Sequence, residues 1–345
     1  MTGVAIPYEQ QPEQRHGRTR FKAAVAVVLL LLVAFVALLS FRYCTTGKPI
    51  ADIAPLPPAV KPLLREPPRY IGSLPDVARP LGLAVTKEGT VYVTESAGER
   101  TIRVFNPLGA AEPALVPPDT VPNGRNLLYA AISPITGHLY VTDVFIHTVH
   151  VFTASGEPAG RIDTPFPDTL WTPGAITFDR TGNMYLTDST PGQHRVLVFD
   201  PEGRLVRQFG TEGMDPGEFS FPNGIGVDKK GNIYVADSGN GRVQAFDSQG
   251  TYLWAIGRGT AQGDFALPRG LAVDDERNLL LVVDVTDQVV KVYDIAGATP
   301  SFAFVFGGTA GAGDTFKFPN AIALDGRGQL YITDRENYRV AVWKY

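Results

Sequence analysis

A segment of 45 to 50 residues recurs six times in this chain, and a period of that length constrains the fold more than any other sequence feature. The clearest copy, residues 219–247, contains three short apolar runs joined by two tight turns. Asp228 and Gly231 occupy the first and fourth positions of a type I turn, and Asn240 and Gly241 tolerate positive φ. The copy therefore predicts an antiparallel meander of three strands.

The apolar runs of this copy alternate large with small side chains rather than apolar with polar ones, as at residues 225–227 and 233–236. This pattern suits a sheet that is covered on both faces. Because one meander cannot cover itself, we expect the copies to cover one another.

Shared positions mark the six copies. An acidic residue ends the second run of each copy, at intervals of 48, 45, 49, 47 and 50 residues: Glu95, Asp143, Asp188, Asp237, Asp284 and Asp334. An aromatic residue follows nine to eleven positions later: Phe105, Phe152, Phe199, Phe246, Tyr293 and Trp343. Leu128 is assigned to the opening position of the second copy. The other five copies open with proline: Pro80, Pro173, Pro222, Pro268 and Pro319.

Six units of this length fit the four-stranded blades of an all-β, six-bladed propeller. A fourth strand is legible in units three, four and five, at residues 204–210, 252–257 and 302–307. The last unit ends at Tyr345, after its third strand, which would leave an unpaired edge. We expect residues 69–72, just ahead of the first unit, to supply the missing strand and close the ring.

Unit four resembles the NHL repeat along residues 222–228, 231–238 and 240–246, and residues 193–196 and 337–340 are similar to the segment that names this family. The likeness covers residues 69–345. It is weakest in units one and two, where Glu95 replaces Asp and where Thr101 and Thr148 replace Arg. The resemblance implies a six-bladed propeller but no single activity, because NHL propellers serve as sensors, scaffolds and ligand-binding domains and relatives of similar architecture are enzymes.

A membrane span is predicted ahead of the ring. The nineteen residues from Ala23 to Phe41 contain no charge, and as a helix they would extend about 28 Å, enough to cross the hydrocarbon core. Basic residues concentrate in residues 1–22, so the positive-inside rule predicts a cytoplasmic amino terminus and an extracytoplasmic ring at the cell membrane. A cleaved signal peptide is the rival interpretation, but no small-residue cleavage site follows the apolar run directly.

Residues 42–68 are predicted to form a stalk between the span and the ring. Seven prolines between residues 45 and 68 favour extended polyproline II chain, although packing of part of this segment on the ring remains open. Cys44 is the only cysteine, which rules out an intramolecular disulfide and leaves either no role or a bridge to another chain. The predicted organisation is thus a tail (1–22), a span (23–41), a stalk (42–68) and a propeller (69–345).

Charge argues against nucleic acid as a partner. The whole chain has a formal net charge of −4, but residues 1–68 contain eight Lys or Arg against four Asp or Glu. The remaining 277 residues therefore carry a net charge of −8. An acidic ring lacks the basic face that phosphate backbones require.

No catalytic or metal-binding set is evident. His147 and His150 are predicted to lie three apart on one strand, pointing to opposite faces, and His138 and His194 fall in turn positions. The sequence contains no nucleophile elbow, phosphate-binding loop or zinc pattern. The repeated acidic residues are expected to satisfy local backbone donors, because catalysis needs positions that break the symmetry. We therefore predict no cofactor.

Symmetry breaks at the residue after each opening proline, which faces the channel in related propellers. In the predicted register these residues are Leu81, Tyr129, Gly174, Asn223, Arg269 and Asn320. Tyr129, Asn223, Arg269 and Asn320 are the predicted ligand-binding residues of the channel mouth. Metal-dependent lactonases of the gluconolactonase type resemble this architecture and place oxygen ligands here, yet only Asn223 and Asn320 match. Arg269 would repel a divalent cation, so the site suits an anion, a carboxylate or a peptide carbonyl.

These observations favour a membrane-anchored, non-enzymatic binding or scaffolding module for a protein or small ligand. One alternative is a metal-dependent hydrolase or lyase of the gluconolactonase-like type. Another is a structural subunit of a larger membrane or cell-surface assembly. The identity of the partner, the face of the ring that binds it and the oligomeric state stay open.

Overall fold

The computed structural model of the protein describes residues 66–257, 263–308 and 314–345. Within them, residues Glu66–Tyr345 form one compact unit. The predicted tail, the span from Ala23 to Phe41, Cys44 and nearly all of the stalk lie outside the described residues. The part of the chain that is described contains no helix that is both long and apolar enough to cross a bilayer.

The described residues form six four-stranded antiparallel sheets, which confirms the predicted all-β, six-bladed propeller. In blades one to five the strands follow chain order. Blade one contains β2 to β5: Pro80–Val85, Val91–Glu95, Ile102–Phe105 and Ala111–Leu115. Blade two contains β6 to β9: Leu127–Ile132, Leu139–Asp143, Thr148–Phe152 and Pro158–Ile162. Blade three contains β10 to β13: Pro173–Phe178, Met184–Asp188, Arg195–Phe199 and Leu205–Phe209.

A short parallel pair, β14 and β15, lies between blades three and four: Thr211–Glu212 and Glu218–Phe219. Blade four contains β16 to β19: Pro222–Val227, Ile233–Asp237, Arg242–Phe246 and Tyr252–Gly257. Blade five contains β20 to β23: Pro268–Asp274, Leu279–Asp284, Val289–Asp294 and Ser301–Phe306. Blade six contains β24 to β26 and β1: Pro319–Leu324, Gln329–Asp334, Arg339–Lys344 and Arg69–Leu74.

The first strand of each blade packs against the first strands of both neighbouring blades, in a closed cycle around the central channel. We call the end of the channel where these innermost strands begin the start face, and the opposite end the end face. Strand β1 pairs antiparallel with β26, from Arg69 opposite Lys344 to Leu74 opposite Val340. The predicted closure is therefore confirmed, with a donated strand two residues longer than expected.

The core lies between the blades. The six repeated aromatic residues of the third strands are each at most 4% exposed, because they pack against the sheet of a neighbouring blade: Phe105, Phe152, Phe199, Phe246, Tyr293 and Trp343. This packing explains the alternation of large and small residues, since each sheet meets protein on both sides.

Every innermost strand contains a β-bulge directly after its first residue. In four blades a threonine of the second strand lies opposite the bulge and accepts a backbone N–H from it, as Thr142 does from Tyr129 (3.0 Å) and Thr333 from Ala321 (2.8 Å). Thr333 also lies within hydrogen-bond distance of the carbonyl oxygen of Leu81 in the next blade (2.9 Å). The bulges thus position the side chains of the channel.

Candidate functional site

The repeated acidic residues hold the loops that lead into the innermost strands. Each carboxylate accepts a backbone N–H from the segment just before its strand, from these donors: Ala78, Asn126, Thr172, Ser220, Ala266, Leu267 and Lys317. The donor–acceptor distances lie between 2.6 and 3.1 Å, as expected for hydrogen bonds to a charged acceptor. These residues are occupied structurally and leave no free carboxylate for chemistry.

The side-chain partner of the acidic residue differs between blades. Arg242 donates to Asp237 (2.7 Å), and Arg195 and Arg339 donate to the matching Asp in blades three and six. In blade two, where Thr148 replaces Arg, His150 lies 3.4 Å from Asp143. In blade five Lys291 takes this role beside Asp284, at 2.9 Å. In blades two and five the missing Arg is thus compensated two residues further along the third strand, whereas in blade one the Thr101 hydroxyl itself donates to Glu95 Oε2 (2.8 Å).

The prediction for His147 is wrong. This residue lies in the turn before β8, with a φ of 56°, and its Nδ1 is 2.6 Å from the carbonyl oxygen of Trp171. His150 lies on β8 and is buried against Asp143. The two residues lie in different elements, one in the turn and one on the strand, because the turn extends one residue further than the sequence pattern indicated. Neither belongs to a metal-binding group, since the described residues contain no cluster of three His, Cys, Asp or Glu side chains.

The predicted register of blade two is wrong by one residue. Leu127, and not Leu128, lies opposite Asp143, as Pro80 lies opposite Glu95. Tyr129 is therefore one step deeper in the channel than Asn223, Arg269 and Asn320. At its level the other blades have only glycine or alanine: Gly82, Ala175, Gly224, Gly270 and Ala321. In the other five blades the opening proline marks the register of the innermost strand. Blade two has a leucine at that position, so its sequence does not mark the register.

Glycine and alanine dominate this level because neighbouring innermost strands approach closely. A Cβ on Gly224 would lie 2.0 Å from the carbonyl oxygen of Arg269, and one on Gly82 would lie 2.2 Å from that of Leu128. Tyr129 is the one large side chain at this level. Blades two and five are opposite in a ring of six, so Tyr129 reaches from one wall of the channel toward the other.

Tyr129, Arg269 and Asn320 come together in the channel. Arg269 Nη1 donates to Asn320 Oδ1 (2.9 Å), and Asn320 Nδ2 donates to the carbonyl oxygen of Leu81 (3.0 Å). Arg269 and Asn320 also lie close enough to Tyr129 to affect its ionisation. Asn223 is not brought into this network, because its Nδ2 donates to the carbonyl oxygen of Phe221 (3.1 Å).

Two donors of this cluster are buried without a well-formed hydrogen bond, although Asn320 lies close enough to the Tyr129 hydroxyl to oppose the rise of its pKa. The Tyr129 hydroxyl and Arg269 Nε make no hydrogen bond of good geometry, although Tyr129 is only 8% exposed. Burial raises the pKa of Tyr129, against the opposing influence of Arg269 and Asn320, so the phenol is neutral and able to donate. The cluster therefore offers donors to an acceptor. It fits a divalent cation poorly, since it contains a guanidinium and no carboxylate.

A cavity of about 350 Å³ lies between Tyr129 and the end face, and neither Arg269 nor Asn320 lines it. All six innermost strands line it, and most of their side chains here are apolar, including Ile132, Phe178, Ile225, Val273 and Leu324. These strands are buried near their beginnings and half-buried at their ends, so the cavity opens toward the end face. Sequence reasoning missed this cavity, because it directed attention to the start face.

The start face carries the exposed aromatic side chains. Phe221, Phe318 and Tyr338 are 59%, 50% and 50% exposed and have positive φ values of 49°, 55° and 54°. Phe145, in another loop on this face, is 57% exposed. Bulky residues rarely adopt positive φ, and local contacts hold Phe221, whose N–H donates to His194 Nδ1 (3.3 Å). Aromatic residues directly before Pro222 and Pro319 were the available signal for this surface.

These features define a six-bladed β-propeller with a polar cluster across its channel and an aromatic start face. Residues 219–246 and 316–343 match the family model of the NHL repeat. The chain thus carries NHL repeats in blades four and six, as the resemblance of units four and six implied.

Curated relatives align with part of the chain. It is 28% identical over 141 residues to NHL repeat-containing protein 3 of Homo sapiens, covering 37% of this chain and 41% of that protein. It is 32% identical over 125 residues to peptidyl-glycine alpha-amidating monooxygenase A of Xenopus laevis, covering 33% of this chain and 13% of that protein. The chain therefore spans less than half the length of these relatives.

Solved structures share the fold. A gluconolactonase from Xanthomonas campestris superposes with a TM-score of 0.60 and 16% identity, covering 81% of this chain and 96% of the other. A streptogramin B lyase superposes with a TM-score of 0.56 and 15% identity, covering 81% and 88%. At these identities the likeness concerns the fold alone, and proteins of this fold differ widely in activity.

Proposed function

We propose that this protein is a membrane-anchored, extracytoplasmic binding module whose start face binds a protein partner. The observation that carries the proposal is the position of the exposed aromatic residues. Phe145, Phe221, Phe318 and Tyr338 all project from start-face loops, while the exposed Leu108 and Ile135 of the end-face turns are aliphatic. Exposed aromatic residues held on rigid loops are typical of binding surfaces.

Backbone strain adds support. A positive φ costs a bulky residue on the order of 1 kcal/mol, yet Phe221, Phe318 and Tyr338 all have one. Asparagine would adopt the same conformation more easily. The same turn positions have positive φ in other blades, at Arg79, His147 and Gln288, and the presence of aromatic side chains at these costly positions is explained if they bind a partner.

Matched triple and double variants test this surface. In the wild type we expect a partner to co-purify after mild solubilisation. The triple variant should lose this partner, and it combines Phe221→Asn, Phe318→Asn and Tyr338→Asn. The variant should keep its thermal stability, because asparagine relieves the positive φ. The control is Leu108→Asn with Ile135→Asn, which removes exposed apolar side chains from the end face. Equal retention of the partner by wild type and the start-face variant would refute the proposal.

The membrane anchor is part of the proposal and is supported by the uncharged run from Ala23 to Phe41 behind a basic segment. We expect the protein to stay in the membrane pellet after alkaline carbonate extraction. Leu31→Lys with Val33→Lys should release it, since each charge in the centre of a span costs about 3 kcal/mol. Recovery of a soluble wild-type protein whose amino terminus begins near residue 40 would instead identify a cleaved signal peptide.

A metal-dependent hydrolase or lyase is the rival function. The similarity to the amidating monooxygenase and to the gluconolactonase supports this alternative. The donors of Tyr129, Arg269 and Asn320, however, favour an anion or a carbonyl over a divalent ion. Elemental analysis and a lactone hydrolysis assay separate the two functions. Bound divalent metal together with hydrolysis that is lost in Asn223→Ala would overturn the non-enzymatic assignment.

A further inference from the structure

We propose that His194 makes the aromatic start face sensitive to pH, because protonation of its imidazole releases Phe221 from the conformation in which a partner would meet it. This inference rests on the proposed binding function, since Phe221 belongs to the aromatic surface, and it assigns a regulation to the same site. The release of Phe221 can be measured without any partner, so the two proposals can fail separately.

His194 packs against the exposed ring of Phe221. The histidine is 1% exposed and lies in the turn immediately before β12. The two rings have centroids 4.8 Å apart and are tilted by 50° relative to each other. Because Phe221 is 59% exposed, a change at the buried imidazole acts on a side chain that a partner can reach.

The Nδ1 atom of His194 accepts a hydrogen bond in this arrangement. The Phe221 N–H donates to it at 3.3 Å. Nδ1 accepts only while it carries no proton, so this bond requires a neutral imidazole with its proton on Nε2. Protonation places a hydrogen on Nδ1, opposite the N–H of Phe221, and two donors do not bond each other. The bond is therefore lost when the imidazole becomes charged.

Two oxygen atoms are close enough to receive the new N–H of the charged ring. The carbonyl oxygen of Phe219 lies 3.4 Å from His194 Nδ1, and Glu212 Oε2 lies 3.9 Å from it. A small movement of the ring would shorten either contact. The imidazolium thus has an acceptor and an opposite charge that draw it away from the Phe221 N–H.

Phe221 depends on this bond because its backbone conformation is unfavourable. Its φ is 49°, a value that bulky residues rarely adopt. Once its N–H has lost the acceptor, the residue can relax toward negative φ, which redirects its side chain. Asn223 Nδ2 donates to the Phe221 carbonyl oxygen (3.1 Å), so the same movement also reaches the mouth of the channel.

The other charged groups around His194 already have partners. Three carboxylates of the neighbouring elements each accept from an arginine or from backbone N–H groups: Asp188, Asp237 and Glu218. Arg195 and Arg242 are the two arginines, at 3.0 and 2.7 Å from their carboxylates. Among the described residues, Glu212 is thus the carboxylate that acts directly on His194.

Fluorine NMR of the full-length protein in nanodiscs tests the release directly. The probe is para-fluorophenylalanine in place of Phe221 or, in a separate control sample, in place of Phe318, whose described contacts include no histidine. Spectra are recorded between about pH 8 and pH 5, the range in which histidine changes its charge. We expect one sigmoidal change of the fluorine shift for the probe at Phe221 and none for the probe at Phe318.

Two variants assign the transition to the imidazole. His194→Gln keeps an acceptor that does not titrate in this range, and it should remove the change at Phe221. Glu212→Gln removes the opposite charge and should move the midpoint to lower pH. Co-purification then tests the regulation. The wild type should retain its partner at about pH 7.5 and lose it at about pH 5.5, whereas His194→Gln should show the same retention at both.

Three results would overturn the proposal. The first is a fluorine shift at Phe221 that does not change over this range, or that changes equally at Phe318. The second is a transition that persists in His194→Gln, which would assign it to another group. The third is equal or stronger retention of the partner by the wild type at the lower pH. Failure to capture any partner, with the fluorine transition intact, would instead count against the proposed binding function alone.

Discussion

Closure of the ring by β1 can be tested by removing that strand. A chain that begins at residue 66 keeps Arg69–Leu74, whereas a chain that begins at residue 76 leaves β26 as an open edge. Both chains lack the segment from residue 1 to residue 65, so their comparison isolates the contribution of one strand.

The structure sets the magnitude of the loss. Five residue pairs join β1 to β26, and about four or five ladder hydrogen bonds contribute about 1 kcal/mol each. Leu74 is 8% exposed, and its burial contributes roughly 2 kcal/mol. The edge-to-face pair of Tyr70 and Trp343, with ring centroids 5.7 Å apart, adds about 1 kcal/mol. A loss of roughly 7 kcal/mol is comparable to the whole unfolding free energy of many domains.

We expect the chain that begins at residue 66 to unfold cooperatively in urea and the shorter chain to be unfolded or to lose its transition, as followed by tryptophan fluorescence and far-UV circular dichroism. Tyr70→Ala should give an intermediate loss of about 2 kcal/mol, because it also removes the contact with Arg339, whose guanidinium lies 5.6 Å from the Tyr70 ring. Leu253→Ala, at a 47% exposed position of another outermost strand, is the control. Equal midpoints and slopes for the two chains would refute the closure argument.

Two further predictions concern acid stability and a crowded glycine. Burial raises the pKa of Asp143, but hydrogen bonds from His150 and from the N–H groups of Asn126 and Phe145 lower it on balance. The stability that this carboxylate contributes is present above its ordinary pKa of 3.8 and is lost as the pH falls below it. We therefore expect the unfolding free energy of Asp143→Asn to decline less steeply between about pH 5 and pH 3 than that of the wild type. The control variant Asp119→Asn should decline as steeply as the wild type. Gly307 and Gly203 both have positive φ, but a Cβ on Gly307 would lie 2.1 Å from the Phe316 ring and one on Gly203 would meet nothing within 4 Å. Gly203→Ala should therefore cost about 1 kcal/mol and Gly307→Ala about 3 kcal/mol in urea unfolding, and equal costs would contradict the role of the ring contact.

The sequence contained enough information for the fold because the same local pattern was written six times. Turn chemistry at Asp228 and Gly231 fixed the hairpins, and the recurring acidic and aromatic positions fixed the number of blades. The donated strand followed from one missing edge at Tyr345. Such arguments need only periodicity and hydrogen-bond completeness, which are local properties of the chain.

The channel could be predicted only in part, because its geometry depends on contacts between blades that are distant in sequence. Asn320 donates to the carbonyl oxygen of Leu81, 239 residues away, and no local pattern indicates that bond. The depth of Tyr129 depended on one residue of register in a strand that lacks the opening proline. The cavity below it is lined by all six innermost strands and has no motif of its own.

The closing strand has a mechanical consequence. Residues before Glu66 are covalently continuous with β1, and β1 is held in the sixth blade by its pairing with β26. A force that pulls on the amino-terminal segment therefore acts on the pairing of β1 with β26 before it acts on any of the other five blades. Under force we expect the pairing between β1 and β26 to break first, so the contacts around Tyr70 set the force that the whole domain withstands.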